Sequence, residues 1–150
     1  MRQNTRNLTA LSAGFLVPGL IALTAAHAPG EGHQLARYLT NIGGYTATTL
    51  GSLGLGTFGF KGLSELALDS RLGCNVSENT KKAVSYSVAG IGAGITINLL
   101  SNLLGDHQTA KNLVEGLGNL TTYGSLAATL GTGTYAGIEK LLNRLPRRTP

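Results

Sequence analysis

The sequence predicts an all-α integral membrane protein with four helices, and three observations lead to this fold class. Charged residues make up only 13% of the chain, which is about half their share in an ordinary soluble domain. They leave four charge-free stretches of 23 or 24 residues, at positions 7–30, 38–60, 83–105 and 116–138. A helix needs ~20 residues to cross the hydrocarbon core of a bilayer. The chain also contains 22 glycines, and small residues allow membrane helices to pack closely.

The first charge-free stretch is predicted to be an uncleaved membrane span. Arg2 and Arg6 before an apolar run also fit a signal peptide, for which residues 26–28 (Ala-His-Ala) would be the cleavage box. Pro29 would then stand directly after the cut, which disfavours cleavage. Pro18 lies inside this segment and predicts a kink or a carbonyl group without an intrahelical partner.

The second and fourth stretches are rich in Gly, Thr and Leu, and the mean hydropathy of the chain is only +0.11. Such segments insert weakly into a bilayer on their own and need partner helices. Two other fold classes therefore stay open, namely a soluble Gly-rich helical bundle and a β-barrel or other β structure. The third stretch contains a long apolar run at 89–104, which fits a helix better than a strand.

A short amphipathic helix is predicted at residues 61–72, between the second and third spans. Leu63, Leu66 and Ala67 would share one face, and Lys61 and Glu65 have the spacing of an i,i+4 ion pair. We expect this helix to lie in the plane of the membrane interface. Residues 73–80 are predicted to form the turn that follows it.

The basic residues orient the chain. Four crossings would place ten Lys and Arg on one side of the membrane and two on the other, and the basic side is normally cytoplasmic. Both termini and the middle connection are therefore predicted to be cytoplasmic, in a bacterial inner membrane. Five of these residues are predicted to face anionic lipid: Lys81, Lys82, Arg144, Arg147 and Arg148.

An internal repeat predicts two duplicated helical hairpins. Residues 33–39 (HQLARYL) parallel 107–113 (HQTAKNL), and residues 53–58 (LGLGTF) parallel 130–135 (LGTGTY). The chain is thus predicted to be one membrane domain, 1–150. Residues 1–72 would form the first hairpin with its amphipathic connector, and residues 73–150 the second hairpin with a basic tail.

Small residues recur four positions apart in each predicted span. Such rows allow two helix backbones to approach closely, either within one chain or between chains. Five glycines are the predicted helix-packing and assembly residues: Gly56, Gly90, Gly94, Gly133 and Gly137.

The sequence predicts no catalytic, cofactor-binding or metal-binding residue. Residues 54–59 match the Gly-rich dinucleotide fingerprint, but no β-strand pattern precedes them. His27, His33 and His107 lack the spacing of metal ligands, and nothing near Cys74 marks it as an activated thiol. No aromatic residues lie among the basic ones, so nucleic acid is not a predicted partner.

Residues 39–42 (LTNI) through 59–63 (GFKGL) resemble the small Gly-rich hydrophobic subunits and pilin-like proteins of type IV secretion systems. This resemblance covers about a third of the chain. It implies a building block of a secretion channel or filament.

The predicted function is that of a non-enzymatic, self-associating structural subunit of a multi-subunit membrane assembly. Its expected partners are membrane lipid, further copies of the chain and other membrane subunits. The alternative is a pore-forming or small transport protein, such as a channel or a holin-like permeabiliser, lined by Thr, Ser and Asn. No carboxylate lies inside a predicted span, which disfavours proton- or sodium-coupled transport.

Overall fold

The computed structural model describes residues 2–27, 34–72, 76–102 and 107–145, and no strand occurs within them. The β alternative is therefore wrong for this part of the chain, and the all-α prediction is confirmed. The helical elements are α1 (Gln3–His27), α2 (Gln34–Gly54), a π-helical segment (Leu55–Gly59), α3 (Phe60–Leu72), α4 (Glu78–Ser101) and α5 (Gln108–Leu142).

The first helix continues through Pro18, so the proline does not end it. The proline has no N–H to donate to the carbonyl of Gly14, and the helix loses one internal hydrogen bond there. Ser77 caps the start of α4, because its side chain accepts a hydrogen bond from the Thr80 amide.

The elements α2, π and α3 form one continuous helix from Gln34 to Leu72. Gly54 and Phe60, which flank the π segment, both have right-handed helical backbone angles. The predicted connector helix at 61–72 is therefore helical, but it is the end of the second long helix and not a separate element. The predicted Lys61–Glu65 pair is present, with 4.0 Å between the Lys61 Nζ and the Glu65 Oε1.

The helices lie side by side in chain order. The helices α1 and α2 pack along each other as one antiparallel hairpin, and α4 and α5 as a second. The π segment and α3 pack on α4 and join the two hairpins. The helices α1 and α5 are thus the two edges of the array, each packed mainly on one side.

The seam between α4 and α5 has the spacing of a coiled coil. The α5 residues that contact α4 include Glu115, Gly118, Thr122, Ser125, Thr132 and Glu139, and Asn119 beside this row accepts a hydrogen bond from Asn98. The successive steps are three, four, three, seven and seven residues, which fit a heptad repeat with its period of 3.5 residues. A helix pair with this period keeps one face on its partner along its whole length.

The interior of the array is small and polar. The fully or nearly buried polar side chains are Thr5, Ser12, Thr48, Glu65, Thr80, Ser85, Thr96 and Ser101, and the buried apolar ones are Val76, Val84, Ala89 and Ala136. Soluble proteins normally bury Leu, Ile, Val and Phe instead. The arrangement is therefore the reverse of a soluble core.

The exterior is apolar. Most large apolar side chains of the described residues are exposed, including Leu120 at 73% and Leu130 at 72% of their full accessibility. The chain exposes 9982 Å² in all, whereas a compact soluble monomer of its mass exposes about 7,200 Å². The array therefore leaves more apolar surface exposed than a compact soluble domain does.

Two helices are long and apolar enough to cross a membrane, judged by length and composition alone. They are residues 3–26 of α1, with a mean hydropathy of 1.8, and α4, with 1.5. This is weak evidence for membrane association, because a signal sequence near the N-terminus or a core helix passes the same test. The helices α2 and α5 do not reach the same threshold.

Candidate functional site

The most regular feature of the helix seams is a set of glycine–oxygen pairs. In each pair, a side-chain oxygen of one helix lies against a glycine of the next, in the place where a Cβ atom would be. The six pairs are Gly19–Thr48, Gly54–Ser12, Gly56–Thr96, Gly90–Ser125, Gly94–Thr122 and Gly118–Asn98. Weak hydrogen bonds from Cα–H groups to oxygen recur at such close helix contacts.

Backbone atoms also crowd several seam glycines, namely Gly19, Gly51, Gly56, Gly94 and Gly118. A Cβ on Gly94 would lie 2.6 Å from the Thr122 amide nitrogen, and one on Gly51 would lie 2.5 Å from the amide nitrogen of Leu16. Backbone atoms in the middle of a helix cannot move aside as a flexible side chain can. The close approach therefore requires glycine at these positions.

Several of the paired hydroxyl groups are satisfied within their own helix. The Oγ atoms of Ser12, Thr96 and Thr122 each donate to the backbone carbonyl four residues earlier, at 2.8 Å. The same bond recurs on the outer faces, for example from Thr121 and Thr134 of α5. The hydroxyl protons are thus hidden from the surroundings.

The five predicted packing glycines divide into two groups. Gly56, Gly90 and Gly94 lie at close contacts between helices of the same chain. Gly133 and Gly137 face open space, and a Cβ added to either would have no atom of another described helix within 4 Å. Steps of four residues advance by 40° around a helix, so the row from Ser125 to Gly137 leaves the α4 seam.

A charged cluster ties three helices together at one end of the array. Glu65 of α3 is 7% exposed and accepts hydrogen bonds from the Arg2 backbone amide (2.8 Å) and the Thr5 hydroxyl (3.1 Å). The Arg2 guanidinium also binds Glu78 at the start of α4. The N-terminal end of α1 is thereby fixed to both α3 and α4.

Lys61 and Lys81 complete this cluster. The Lys61 Nζ lies 4.2 Å from the centre of the Tyr86 ring, which is a cation–π distance. Lys81 lies within 4.0 Å of Asp69 and 3.9 Å of Glu78. The space between these side chains has about 20 Å³, which is room for about one water molecule.

The predicted lipid-facing basic residues are only partly exposed. Lys82 and Arg144 are exposed, whereas Lys81 is 14% exposed and neutralised by the acidic residues beside it. Arg147 and Arg148 lie outside the described residues. Lys81 is therefore better placed to hold α4 against α3 than to contact lipid.

Glu139 joins the end of α5 to the beginning of α4. Its carboxylate accepts a hydrogen bond from the Ser77 amide at 2.8 Å. The Thr80 hydroxyl and then the Ser77 amide hold the pKa of Glu139 below its ordinary value of 4.5, because hydrogen bonds to a carboxylate favour its charged form.

The other sequence features show no sign of a reactive site. Residues 54–59 lie within a continuous helix, so they are not preceded by the strand that a dinucleotide site requires. The described residues contain no group of three His, Cys, Asp or Glu side chains that could hold a metal ion. His107 is an exposed residue at the start of α5, and His33 and Cys74 lie outside the described residues.

The comparisons with known proteins give no family. No protein-family model matches the chain, and neither the curated proteins nor the solved structures include a significant match.

Proposed function

We propose that the protein is a non-enzymatic structural subunit of a membrane assembly, in which further copies of the chain or other membrane subunits are its neighbours. The proposal rests on one observation: relative to a soluble protein, the polarity of the interior and the exterior is reversed. Leu, Ile, Phe and Tyr lie outside, while Gly, Ser and Thr lie between the helices. Lipid gives helices no hydrophobic reason to associate, so membrane helices rely on close packing of small residues.

In this proposal all four long helices cross the membrane, including the less apolar α2 and α5. A hydropathy scale counts each Thr as a polar group that must be desolvated. Here Thr40 and Thr46 of α2 donate to carbonyl groups of their own helix, each at 2.8 Å, as does Thr121 of α5. These bonds lower the cost of placing the hydroxyl groups in lipid.

The charged cluster supports the proposed orientation. Arg2, Glu65, Glu78 and Glu139 lie at the same end of the array, through the contacts of α1 with α3 and α4 and of α5 with α4. Charged groups are excluded from the bilayer interior. This end would therefore lie at a membrane surface, and the ten Lys and Arg that it shares with both termini and the middle connection favour the cytoplasmic one.

The single cysteine offers a direct test of the orientation. Cys74 lies in the connection between α3 and α4. A membrane-impermeant maleimide should label it in inverted inner-membrane vesicles and leave it unlabelled in spheroplasts until the membrane is permeabilised. A Cys74→Ser variant is the control for background labelling. Labelling in intact spheroplasts would overturn the proposed orientation.

The size of the detergent-extracted protein tests whether its subunits associate. Protein extracted in a mild detergent should elute as a uniform oligomer, because Gly133 and Gly137 of α5 remain open for close packing against a neighbouring helix. A channel or a filament of a secretion system is the kind of assembly that the sequence resemblance suggests. A monomer in every mild detergent tested would contradict the self-association.

Dye release from liposomes that contain the purified protein distinguishes the proposed structural subunit from the alternative function, a pore. In the proposed structural subunit the seams are closed by glycine–oxygen pairs, so we expect no release above that of protein-free liposomes. Release that increases with the amount of protein would favour the pore.

A further inference from the structure

The start of α1 is held by a side chain of another helix. Glu65 of α3 accepts a hydrogen bond from the backbone amide of Arg2, the residue before α1, at 2.8 Å. It accepts a second one from the hydroxyl of Thr5 at 3.1 Å. In a capping box, a glutamate in the first turn of the same helix bonds the amide that precedes the turn. Here the carboxylate comes from a residue 60 positions beyond Thr5, and the helix dipole favours its negative charge.

The start of α4 is held in the same way. Glu139 of α5 accepts a hydrogen bond from the backbone amide of Ser77, the residue before α4, at 2.8 Å. The hydroxyl of Thr80 is the first cause of the lowered pKa of Glu139, so it too lies beside the carboxylate. In both hairpins the amide and the hydroxyl belong to residues three positions apart.

The two contacts occupy equivalent places in the chain. The amide and the hydroxyl of the second hairpin follow those of the first by 75 residues, and Glu139 follows Glu65 by 74. Gly62 and Ala136, three positions before each glutamate, are both buried. The correspondence concerns this end of each hairpin, where one arrangement closes both. We call it the latch: the first latch is Arg2, Thr5 and Glu65, and the second latch is Ser77, Thr80 and Glu139.

The second latch has fewer bonds than the first. Both carboxylate oxygens of Glu65 accept hydrogen bonds, and Lys61 lies 4.0 Å from one of them. The Oε2 atom of Glu139 has no hydrogen-bond partner among the described residues, and Tyr135 stands where the first hairpin has Lys61. Glu65 is buried, whereas Glu139 is partly exposed. Each hydrogen bond to a carboxylate helps to hold the two helices together, so the second latch is the weaker one.

We propose that the latches form a conformational device, in which the first latch keeps its hairpin closed and the second latch opens. The end of α5 then separates from the start of α4, while the rest of their seam stays packed through close contacts such as Gly94 with Thr122. Opening exposes Ala136, which is otherwise buried with Val76 and Val84. Both latches act within one chain, so the device does not depend on what surrounds the exterior.

Hydrogen exchange of two backbone amides measures the strength of each latch. In the whole chain in a mild detergent, we expect the amides of Arg2 and Ser77 both to be protected. The Ser77 amide should exchange about tenfold faster or more, because a further hydrogen bond to a charged group contributes roughly that factor. An unprotected Arg2 amide would show that the first latch does not hold α1. Equal protection of the two amides would overturn the proposed order of opening.

Single substitutions assign each protected amide to its glutamate. Glu139→Ala should remove the protection of Ser77 and leave that of Arg2, and Glu65→Ala should do the reverse. Glu115→Ala is the matched control and should change neither, because Glu115 also joins α5 to α4, with a serine hydroxyl at 3.4 Å, but at the opposite end of the seam. Loss of both protections in Glu139→Ala would contradict two separate latches. If Glu65→Ala does not fold, the two amides of the unsubstituted chain still rank the latches.

Thiol labelling measures the opening itself. In a Cys74→Ser background, Ala136→Cys places a thiol next to the second latch, and Ala89→Cys places one at an equally buried site of α4 away from it. A small thiosulfonate reagent should modify Ala136→Cys faster than Ala89→Cys, and the addition of Glu139→Ala should accelerate only the reaction at position 136. Equal rates at the two sites, with and without Glu139, would overturn the opening.

Discussion

At the scale of single residues, the fold depends on which glycines have no room for a Cβ atom. Glycines in the seams face an oxygen or a backbone atom of the next helix, whereas glycines on the outer faces meet nothing. The same residue type therefore has opposite roles at neighbouring positions. On α5, the 3.5-residue period of the contact with α4 separates the two roles. Glycines on this period are packed against α4, and glycines off it have room for a Cβ atom.

Gly94 and Gly124 form a pair that tests this distinction. Gly94→Ala places a Cβ 2.6 Å from the Thr122 amide nitrogen, and overpacking of this kind costs about 1–3 kcal/mol. Gly124→Ala meets no atom and should stabilise the chain by about 0.5–1 kcal/mol, because alanine loses less backbone entropy in a helix. Reversible unfolding in a mild detergent measures both. Equal effects of the two substitutions would show that the seam is not closely packed.

Glu65 is the acidic residue on which the charged cluster depends. Glu65→Gln removes the charge that two donors and Lys61 share, and we expect a loss of about 1–3 kcal/mol in the free energy of unfolding. Glu78 is the control, because its side chain is 67% exposed and an exposed ion pair is worth at most about 1 kcal/mol. If Glu78→Gln destabilises the protein as much as Glu65→Gln, burial of Glu65 is not the source of its effect.

The sequence predicts part of this residue-scale result. Rows of small residues predict Gly56, Gly90 and Gly94 as packing positions, and these glycines lie at helix contacts within the chain. Whether they also serve assembly stays a prediction. The rows do not distinguish Gly94 from Gly133, because a step of four residues drifts off a seam whose period is 3.5. The sequence does not single out the hydroxyl partners Thr96 and Thr122, since Ser and Thr are common on both faces of these helices.

At the scale of elements, the charge-free stretches predict where the long helices lie. They do not predict how one helix continues into the next. Arg6, Arg37, Lys82 and Glu139 end charge-free stretches and lie close to helix ends, but Lys61 lies inside the continuous helix from Gln34 to Leu72. The π segment has no sequence signal beyond its glycines, which occur elsewhere in the chain without one. The continuity of α2 with α3 is therefore not predictable from residues 54–61, although the helix at 61–72 is.

The end of α5 gives a pH-dependent prediction. The pKa of Glu139 is lowered in the folded protein, so its stabilising contribution is complete above its ordinary pKa of 4.5. The contribution is lost as the pH falls through the lower folded value. We expect the NMR shift of the Ser77 amide to titrate below pH 4.5.

Glu139→Gln separates this effect from general acid unfolding. The glutamine oxygen can still accept the Ser77 hydrogen bond, but it does not titrate. The pH-dependent step at the Ser77 amide should therefore disappear in this variant, while other amides behave as in the wild type. A step that persists in Glu139→Gln would assign the titration to another group.

At the scale of the whole molecule, the proposed function requires that lipid or neighbouring subunits cover the outer surface of the array. The described interior is made of small and hydroxyl residues, so the chain has little of the apolar core that stabilises a soluble domain of this size. The low charge content predicts a membrane environment, and two of the four long helices have the hydropathy for it. Hydropathy alone cannot decide whether α2 and α5 cross the membrane, because it ignores the hydrogen bonds that their Thr side chains form within the helix.

The proposed function requires that lipid covers the apolar exterior of this protein. Extraction of membranes from expressing cells with alkaline carbonate tests it most directly, since this treatment releases peripheral and soluble proteins and leaves integral ones behind. We expect the full chain to stay in the membrane pellet and to dissolve only in detergent. Recovery of the chain in the supernatant as a folded monomer would contradict it.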